Sequence, residues 1–269
     1  MQERRRTNAE RTHATRAALV AAARDLFVRA GYAATSTPQI AAAANVTRGA
    51  LYHHYADKQD LFRAVAEAEA EAVAQEIEER TAADPGTAAT ERPDAPDISD
   101  APDAPDAPDA RAMLVEGARA YLDAMGEPGR TRLLLVDAPA VLGPEEADAL
   151  DARHARRTLR EGLGAALGAH PGGGSTSHGS GAGDDVVPGP GTARGPGDGS
   201  AVDQGVHDAV ARDLADEQRL DALTLLLSAA FDRAALALDA GAAPGPVRAA
   251  VTELVDRVCA PASEPRPRS

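Results

Sequence analysis

Apolar residues recur along this chain at three- and four-residue spacing in separate blocks, and the fold they predict is all-α. In the first block Leu19, Ala23, Leu26, Phe27 and Ala30 define a helix over 13–30 that Gly31 ends. Thr37 followed by Pro38 marks the next start, because threonine caps free backbone NH groups and proline at the first helical position sacrifices no hydrogen bond. That helix runs to about Ala44, with Ile40, Ala43 and Ala44 on its inward face. Asn45 tolerates the left-handed backbone of a tight turn, Val46 plugs the core, and Thr47 caps a short helix through Tyr55 with Leu51 facing in. Two short helices joined in this way read as a helix-turn-helix.

The second helix of such a unit enters the DNA major groove, so its outward side chains are expected to be polar or small. Thr37, Gln39, Thr47, Arg48, Gly49, Tyr52 and His53 form the expected DNA-facing set. Arg48 can donate two hydrogen bonds to a guanine edge, and Gly49 lets the backbone come near. Asp57 caps the following helix, which runs through Phe62, Val65, Ala72 and Ile77 to about Glu79, and Lys58 in its first turn is expected to meet a phosphate.

The run of Thr37, Ile40, Ala41, Val46, Thr47, Leu51, Tyr52, His54, Tyr55, Lys58, Leu61 and Phe62 resembles the amino-terminal signature of TetR/AcrR-type transcriptional regulators. It differs at Asn45, where the family usually has a turn glycine, and at His53, often an aromatic position there. The resemblance implies a three-helix DNA-binding head, a connecting helix that acts as a lever, and a helical body that dimerises and holds a small-molecule effector. It also implies double-stranded DNA with a palindromic operator as a partner. No cofactor and no metal are implied.

The rest of the chain is divided accordingly. Residues 1–12, with four arginines and no apolar period, form a flexible basic arm; 13–62 the head; 63–80 the connecting helix. Residues 81–110 carry the repeat APDAPDAPDA, in which proline every third residue forbids a regular helix and the aspartates repel, so a disordered spacer is expected. The regulatory body begins over 111–167. Here Met113, Tyr121 and Met125 are candidate effector-pocket residues, and Tyr121 has a hydroxyl that needs a partner. A second helix over 128–142 is kinked at Pro139, and a third over 145–167 carries Arg153, Arg156, Arg157 and Arg160 as a stripe expected to pair with nearby acids. Residues 168–205, rich in glycine, serine and proline, form a second disordered insertion. Residues 206–260 supply two helices, the first apolar nearly all round, with more apolar surface than one body buries; Leu223, Leu226, Leu227, Val251, Leu254 and Val258 are the expected homodimer interface. Residues 261–269 form a tail.

Charge sharpens the picture. The chain of 269 residues has a net charge of -14, yet residues 1–63 carry +5 and the remainder -19, so only the front end suits a polyanion. Phe27, Tyr32, Tyr52, Tyr55 and Phe62 concentrate the aromatics in that small module, where large rings give the most buried area per residue. Cys259 is the single cysteine and cannot form an internal disulfide, no apolar run approaches a membrane span, and no signal-peptide core is present, so a cytoplasmic protein without membrane insertion is expected. No nucleophile elbow, phosphate loop, zinc spacing or paired acid and base forms a catalytic motif, which argues against an enzyme. The expected function is a homodimeric repressor released by an effector. An architectural DNA-binding protein without ligand control is the alternative, set apart by weak sequence preference.

Overall fold

The computed structural model describes residues 8–83, 110–168 and 200–260, and these are helical, without a strand among them. The expectations for the arm over 1–7, for the APD repeat over 84–109, for the Gly-rich stretch over 169–199 and for the tail over 261–269 lie outside the described residues. Three helices, α1 (Asn8–Ala30), α2 (Thr37–Ala43) and α3 (Arg48–His54), make the head, and α4 (Lys58–Ala83) runs from it into the body. The body follows as α5 (Ala110–Ala124), α6 (Arg130–Arg132), a π-helical turn (Leu133–Asp137), α7 (Ala138–Leu142), α8 (Pro144–Arg153), α9 (Ala155–Gly168), α10 (Ser200–Asp239) and α11 (Pro244–Cys259).

Several boundaries differ from those the pattern predicts. Helix α1 starts at Asn8 rather than near His13, because a nucleated helix propagates cheaply through polar residues that bury nothing; apolar period reports burial, not helix. For the same reason α10 begins at Ser200, inside the stretch expected to be an insertion. The expected single helix over 145–167 is two: at His154 the backbone leaves the helical region (φ -116, ψ -104), which lets Leu150 of α8 pack with the head while Leu163 and Ala166 of α9 pack in the body. Pro139 does not kink a plain α-helix. Its missing NH follows a wide turn in which Ala138 N–H reaches back five residues to Leu133 O.

Two apolar cores result, and α4 belongs to both. Leu61, Phe62, Val65 and Ala70 close the head core with Leu19, Phe27, Ile40 and Leu51, while Val73 and Ile77 enter the body core with Leu114, Leu163, Phe231 and Val255. Phe27, Tyr32 and Phe62 pack as a trio with ring centroids 5.3–5.6 Å apart. Phe27 and Phe62 are fully buried and contribute about 1.5–3 kcal/mol each, and half-buried Tyr32 covers them, which is how a head this small holds its reading helices rigid. The head core is also closed from outside: Leu133, Ala138 and Leu150 of the body are part of it.

Candidate nucleic-acid interface and body cavities

The entry to α2 is capped one residue earlier than the pattern predicts. Ser36, extended at φ -113 and ψ 151, is the N-cap, and Gln39 Oε1 accepts from Ser36 N at 2.9 Å and Ser36 Oγ at 2.7 Å. Thr37 is thereby freed from capping, and its hydroxyl meets the Tyr52 hydroxyl of α3 at 2.9 Å. The turn between the helices has Asn45 at φ 55, with Val46 N–H donating to Ala41 O at 2.9 Å. Thr47 Oγ1 accepts from Ala50 N at 3.1 Å and so caps α3.

Leu51 of α3 and Tyr55, which caps its end, are buried, and Thr47, Arg48, Gly49, Tyr52 and His53 all lie exposed. The Arg48 guanidinium stands 5.5 Å from the Tyr52 ring centroid, which makes a continuous chain from half-buried Thr37 to exposed Tyr52 and Arg48. The Tyr52 hydroxyl is held below its usual pKa by the hydrogen bond to Thr37 and then by Arg48. A β-carbon at Gly49 would meet nothing closer than Thr47 Oγ1 at 3.9 Å, so the chain's own packing does not require glycine there.

Lys58 occupies a different role from the phosphate contact expected of it. Its half-buried ammonium donates to Tyr32 O at 2.9 Å and Thr35 O at 3.0 Å and lies 4.1 Å from the Tyr32 ring centroid. Two of its three donors therefore tie the α1–α2 loop to the start of α4.

A polar joint links head to body. Glu69 of α4 accepts from Arg24 Nε of α1 at 2.7 Å and from Arg130 Nε of α6 at 3.0 Å, and Arg130 Nη1 donates to Glu76 Oε1 at 2.9 Å and Ala124 O at 2.7 Å. Burial opposes ionisation of Glu69, but the bonds from Arg24 and Arg130 outweigh it and hold its pKa below the usual value. Nearer the DNA-reading end, Gln59 Nε2 donates to Val141 O at 2.8 Å and Arg63 pairs with Glu146. Glu67 binds Arg153 at 2.9 Å and faces His154 Nε2 at 2.8 Å.

Beside a cavity of about 550 Å³ lined by Arg160, Leu167, Leu220 and Val258, two cavities of the body share Tyr121 as a wall. The larger of these two, about 400 Å³, is bordered by Ile77, Met113, Leu114, Tyr121, Thr158 and Phe231. The smaller, about 330 Å³, is bordered by Tyr121, Met125, Leu134, Leu135, Asp232 and Leu236 among others. Both fall in the size range of small-molecule sites. The three candidate pocket residues are thus distributed, Met113 to the first cavity, Met125 to the second, Tyr121 to both. Tyr121 Oη donates to Asp232 Oδ1 at 2.5 Å, and burial pushes the Asp232 carboxyl up to about 6. Asp151 nearby accepts from Arg156 Nε at 2.8 Å and Ser228 Oγ at 3.1 Å.

Pattern reading missed Asp232 and Ser228. The available signal was Thr224, Ser228 and Asp232 at four-residue spacing, a polar stripe along an otherwise apolar helix. The arginine stripe is paired throughout: Arg153 with Glu67, Arg156 with Asp148 and Asp151, Arg157 with Glu78, Arg160 with Asp221.

The expected dimer residues divide by burial. Leu227 and Val251 belong to the body's own core and are corrected accordingly: they lie on the stripe with Phe231, Ala235 and Val255 that packs inside this chain. Leu223 and Val258 are half-buried against the same core. Leu226 at 67% and Leu254 at 36% are exposed, as is Leu225 at 51%. No helix among the described residues is long and apolar enough to cross a membrane.

A capped pair of short helices presenting an exposed arginine–tyrosine face beside a basic amino-terminal helix is a helix-turn-helix head of DNA-binding type. Residues 19–65 match the model of bacterial regulatory proteins of the tetR family, and residues 112–170 match the tetracyclin repressor-like C-terminal domain. The chain belongs to the tetR family of transcriptional regulators. The HTH-type transcriptional repressor BepR of Brucella suis is 43% identical over 61 residues, 23% of this chain and 29% of that protein. The HTH-type transcriptional regulator AcrR of Shigella flexneri is 50% identical over 48 residues, 18% of this chain and 22% of that protein. The matched part of this chain thus spans under a third of the length of these relatives, at 29% and 22%. Among solved structures, a tetR-family regulator from Streptomyces coelicolor has a TM-score of 0.50 at 20% identity, covering 91% of this chain and 78% of its own. RolR in complex with the ligand resorcinol also has a TM-score of 0.50, at 15% identity, covering 97% and 99%. Both likenesses are of fold.

Proposed function

We propose that this chain is a cytoplasmic, homodimeric transcriptional repressor whose two heads bind a palindromic operator and are released when a small molecule enters the body. The observation that carries the release is the path of the chain after α6. Leu134 and Leu135 of the π-helical turn border the smaller cavity, while Leu133 just before them and Ala138 just after are buried in the head core. A ligand that moves this turn moves the floor of the head, and a π turn is a frequent mark of a functional site. The exposed Leu225, Leu226 and Leu254 supply apolar surface for a second copy. BepR is named a repressor and RolR holds resorcinol, which accords with both halves of this reading.

Selection of bound sequences from random DNA tests it directly. The expected product is one inverted repeat, bound by two chains, with binding reversed by at least one small organic compound that also binds the protein without DNA. Recovery of unrelated sequences of similar affinity would instead mark an architectural protein.

A further inference from the structure

The smaller cavity has an unbalanced wall. Three carboxylates, Asp148, Asp151 and Asp232, border it together with the guanidinium of Arg156 and the imidazole of His154. The guanidinium is engaged by Asp151 through Nε at 2.8 Å and by Asp148 through Nη2 at 2.5 Å. The imidazole is engaged by Glu67 of α4, 2.8 Å from Nε2. Asp232 has no such partner: among the described residues no cationic group lies within 4 Å of it, and its one hydrogen bond is the neutral Tyr121 hydroxyl donating to Oδ1, which leaves Oδ2 without a donor. The remaining wall near it is apolar, with Met125, Leu134, Leu135 and Leu236.

A carboxylate in such a place is costly to ionise unless a cation comes to it. An anionic ligand would face three acids and one already shared guanidinium, and a neutral ligand would leave the Asp232 charge uncompensated. We propose that the smaller cavity binds an organic cation, a protonated amine or quaternary ammonium on an apolar body, with the charge held against Asp232 and the apolar part against Met125, Leu134 and Leu135. The proposal rests on the effector reading above and gives that effector its chemical class. The raised Asp232 pKa of about 6 accords with it, since burial, and after it the charge of Asp151, disfavours the carboxylate by more than the Tyr121 hydrogen bond and the more distant Arg156 favour it. The position also suits release, because the same leucines belong to the turn that supports the head.

The test uses the full chain and two probes of equal size, 1-naphthylmethylamine, which is protonated at about pH 7.5, and the neutral 1-naphthalenemethanol. Calorimetric titration should show the amine binding at least about tenfold tighter than the alcohol. Asp232→Asn should abolish that preference and leave alcohol binding within about twofold, while Tyr121→Phe, which keeps the carboxylate, should retain it. Equal binding of the two probes, no saturable binding of the amine, or an amine preference that survives Asp232→Asn overturns the proposal. Should Asp232→Asn lose its helical circular dichroism, the unmodified chain decides. Amine affinity should fall several-fold as pH drops through about 6, where Asp232 takes up a proton, and alcohol affinity should not. His154 borders the same cavity, so His154→Gln is titrated in parallel and should keep the greater part of the fall; a fall that disappears in His154→Gln overturns the proposal. Operator binding is followed in the same samples. An amine held by Asp232 that leaves operator affinity unchanged supports the cation site and refutes release by this cavity, whereas release by the alcohol without regard to Asp232 does the reverse.

Discussion

Gly129 lies against Val28 so closely that a β-carbon there would stand 2.4 Å from Val28 Cγ1, and its backbone sits at φ 78, where other residues are strained. The loop that opens α6 is thus seated on α1 of the head, beside the Arg24–Glu69–Arg130 joint. Gly129→Ala should destabilise the chain by roughly 2–4 kcal/mol, combining the left-handed penalty with overpacking. Val28→Ala in the same chain should recover the overpacking part. Urea titrations of the two single variants and the double variant check this; strictly additive losses would show that the two residues do not press on each other.

Glu69→Gln removes a charge that two arginines share, one of them, Arg130, with only 8% of its side chain exposed. Loss of about 2–4 kcal/mol is expected at neutral pH. The Glu69 pKa is lower in the folded chain than in the unfolded one, so its contribution is full above about pH 4.5 and disappears as pH falls through the lower folded value. The gap between the original chain and Glu69→Gln should therefore close in acid, and a gap independent of pH would argue against ionised Glu69 as the source.

Asp232 works in the opposite sense. Its folded pKa of about 6 exceeds the unfolded value near 3.8, so the folded chain binds the extra proton and loses stability as pH rises from about 4 to about 6. Asp232→Asn should be more stable than the original chain by roughly 1–3 kcal/mol at neutral pH and equal to it near pH 4. Melting at the two pH values decides. A side chain that lowers stability at neutral pH while bordering a cavity is the pattern of a site kept for binding.

Arg48→Ala should cost roughly 1–3 kcal/mol at the operator and relax preference at one base pair, because its guanidinium is exposed and held over Tyr52. Tyr52→Phe, which removes the Thr37 hydrogen bond, should cost less at the same position. Lys58→Met should behave differently, lowering stability by about 1–3 kcal/mol through the loss of two carbonyl partners, with the salt dependence of DNA binding nearly unchanged. A salt slope lower by about 0.9 would return Lys58 to the phosphate contacts.

Leu226→Glu should leave the fold intact, since the side chain is 67% exposed in the single chain, yet yield monomers that lose tight operator binding. Sedimentation and operator titration of one sample give the answer; a dimer with unchanged affinity places Leu226 outside the interface.

What was legible in the sequence followed from local rules. The Asn45 turn, the Thr47 cap and the inward Leu51 depend on backbone sterics and three-residue spacing, and these appear in the structure as the pattern predicts. Cap placement at Ser36 rather than Thr37 was hidden because Ser and Thr are equivalent caps and only the reach of Gln39 separates them. The ends of α1 and α10 were hidden because exposed helix carries no apolar period. Lys58 and Asp232 were hidden for a different reason. A charged side chain's role depends on which distant carbonyls or acids the fold brings to it, and Tyr32 O or Tyr121 Oη leave no trace at a fixed spacing.

The π-helical turn at Leu133–Asp137 carries one residue more than an α-helical ladder would hold, and so fixes the angular phase of all that follows it. Removing a single residue there would restore a regular ladder while turning α7 by about 100° about its axis. Val141 O would swing away from Gln59, and Ala138 would leave the head core. The body's support of the head is in this sense a matter of counting, since one surplus residue decides which side of α7 meets it.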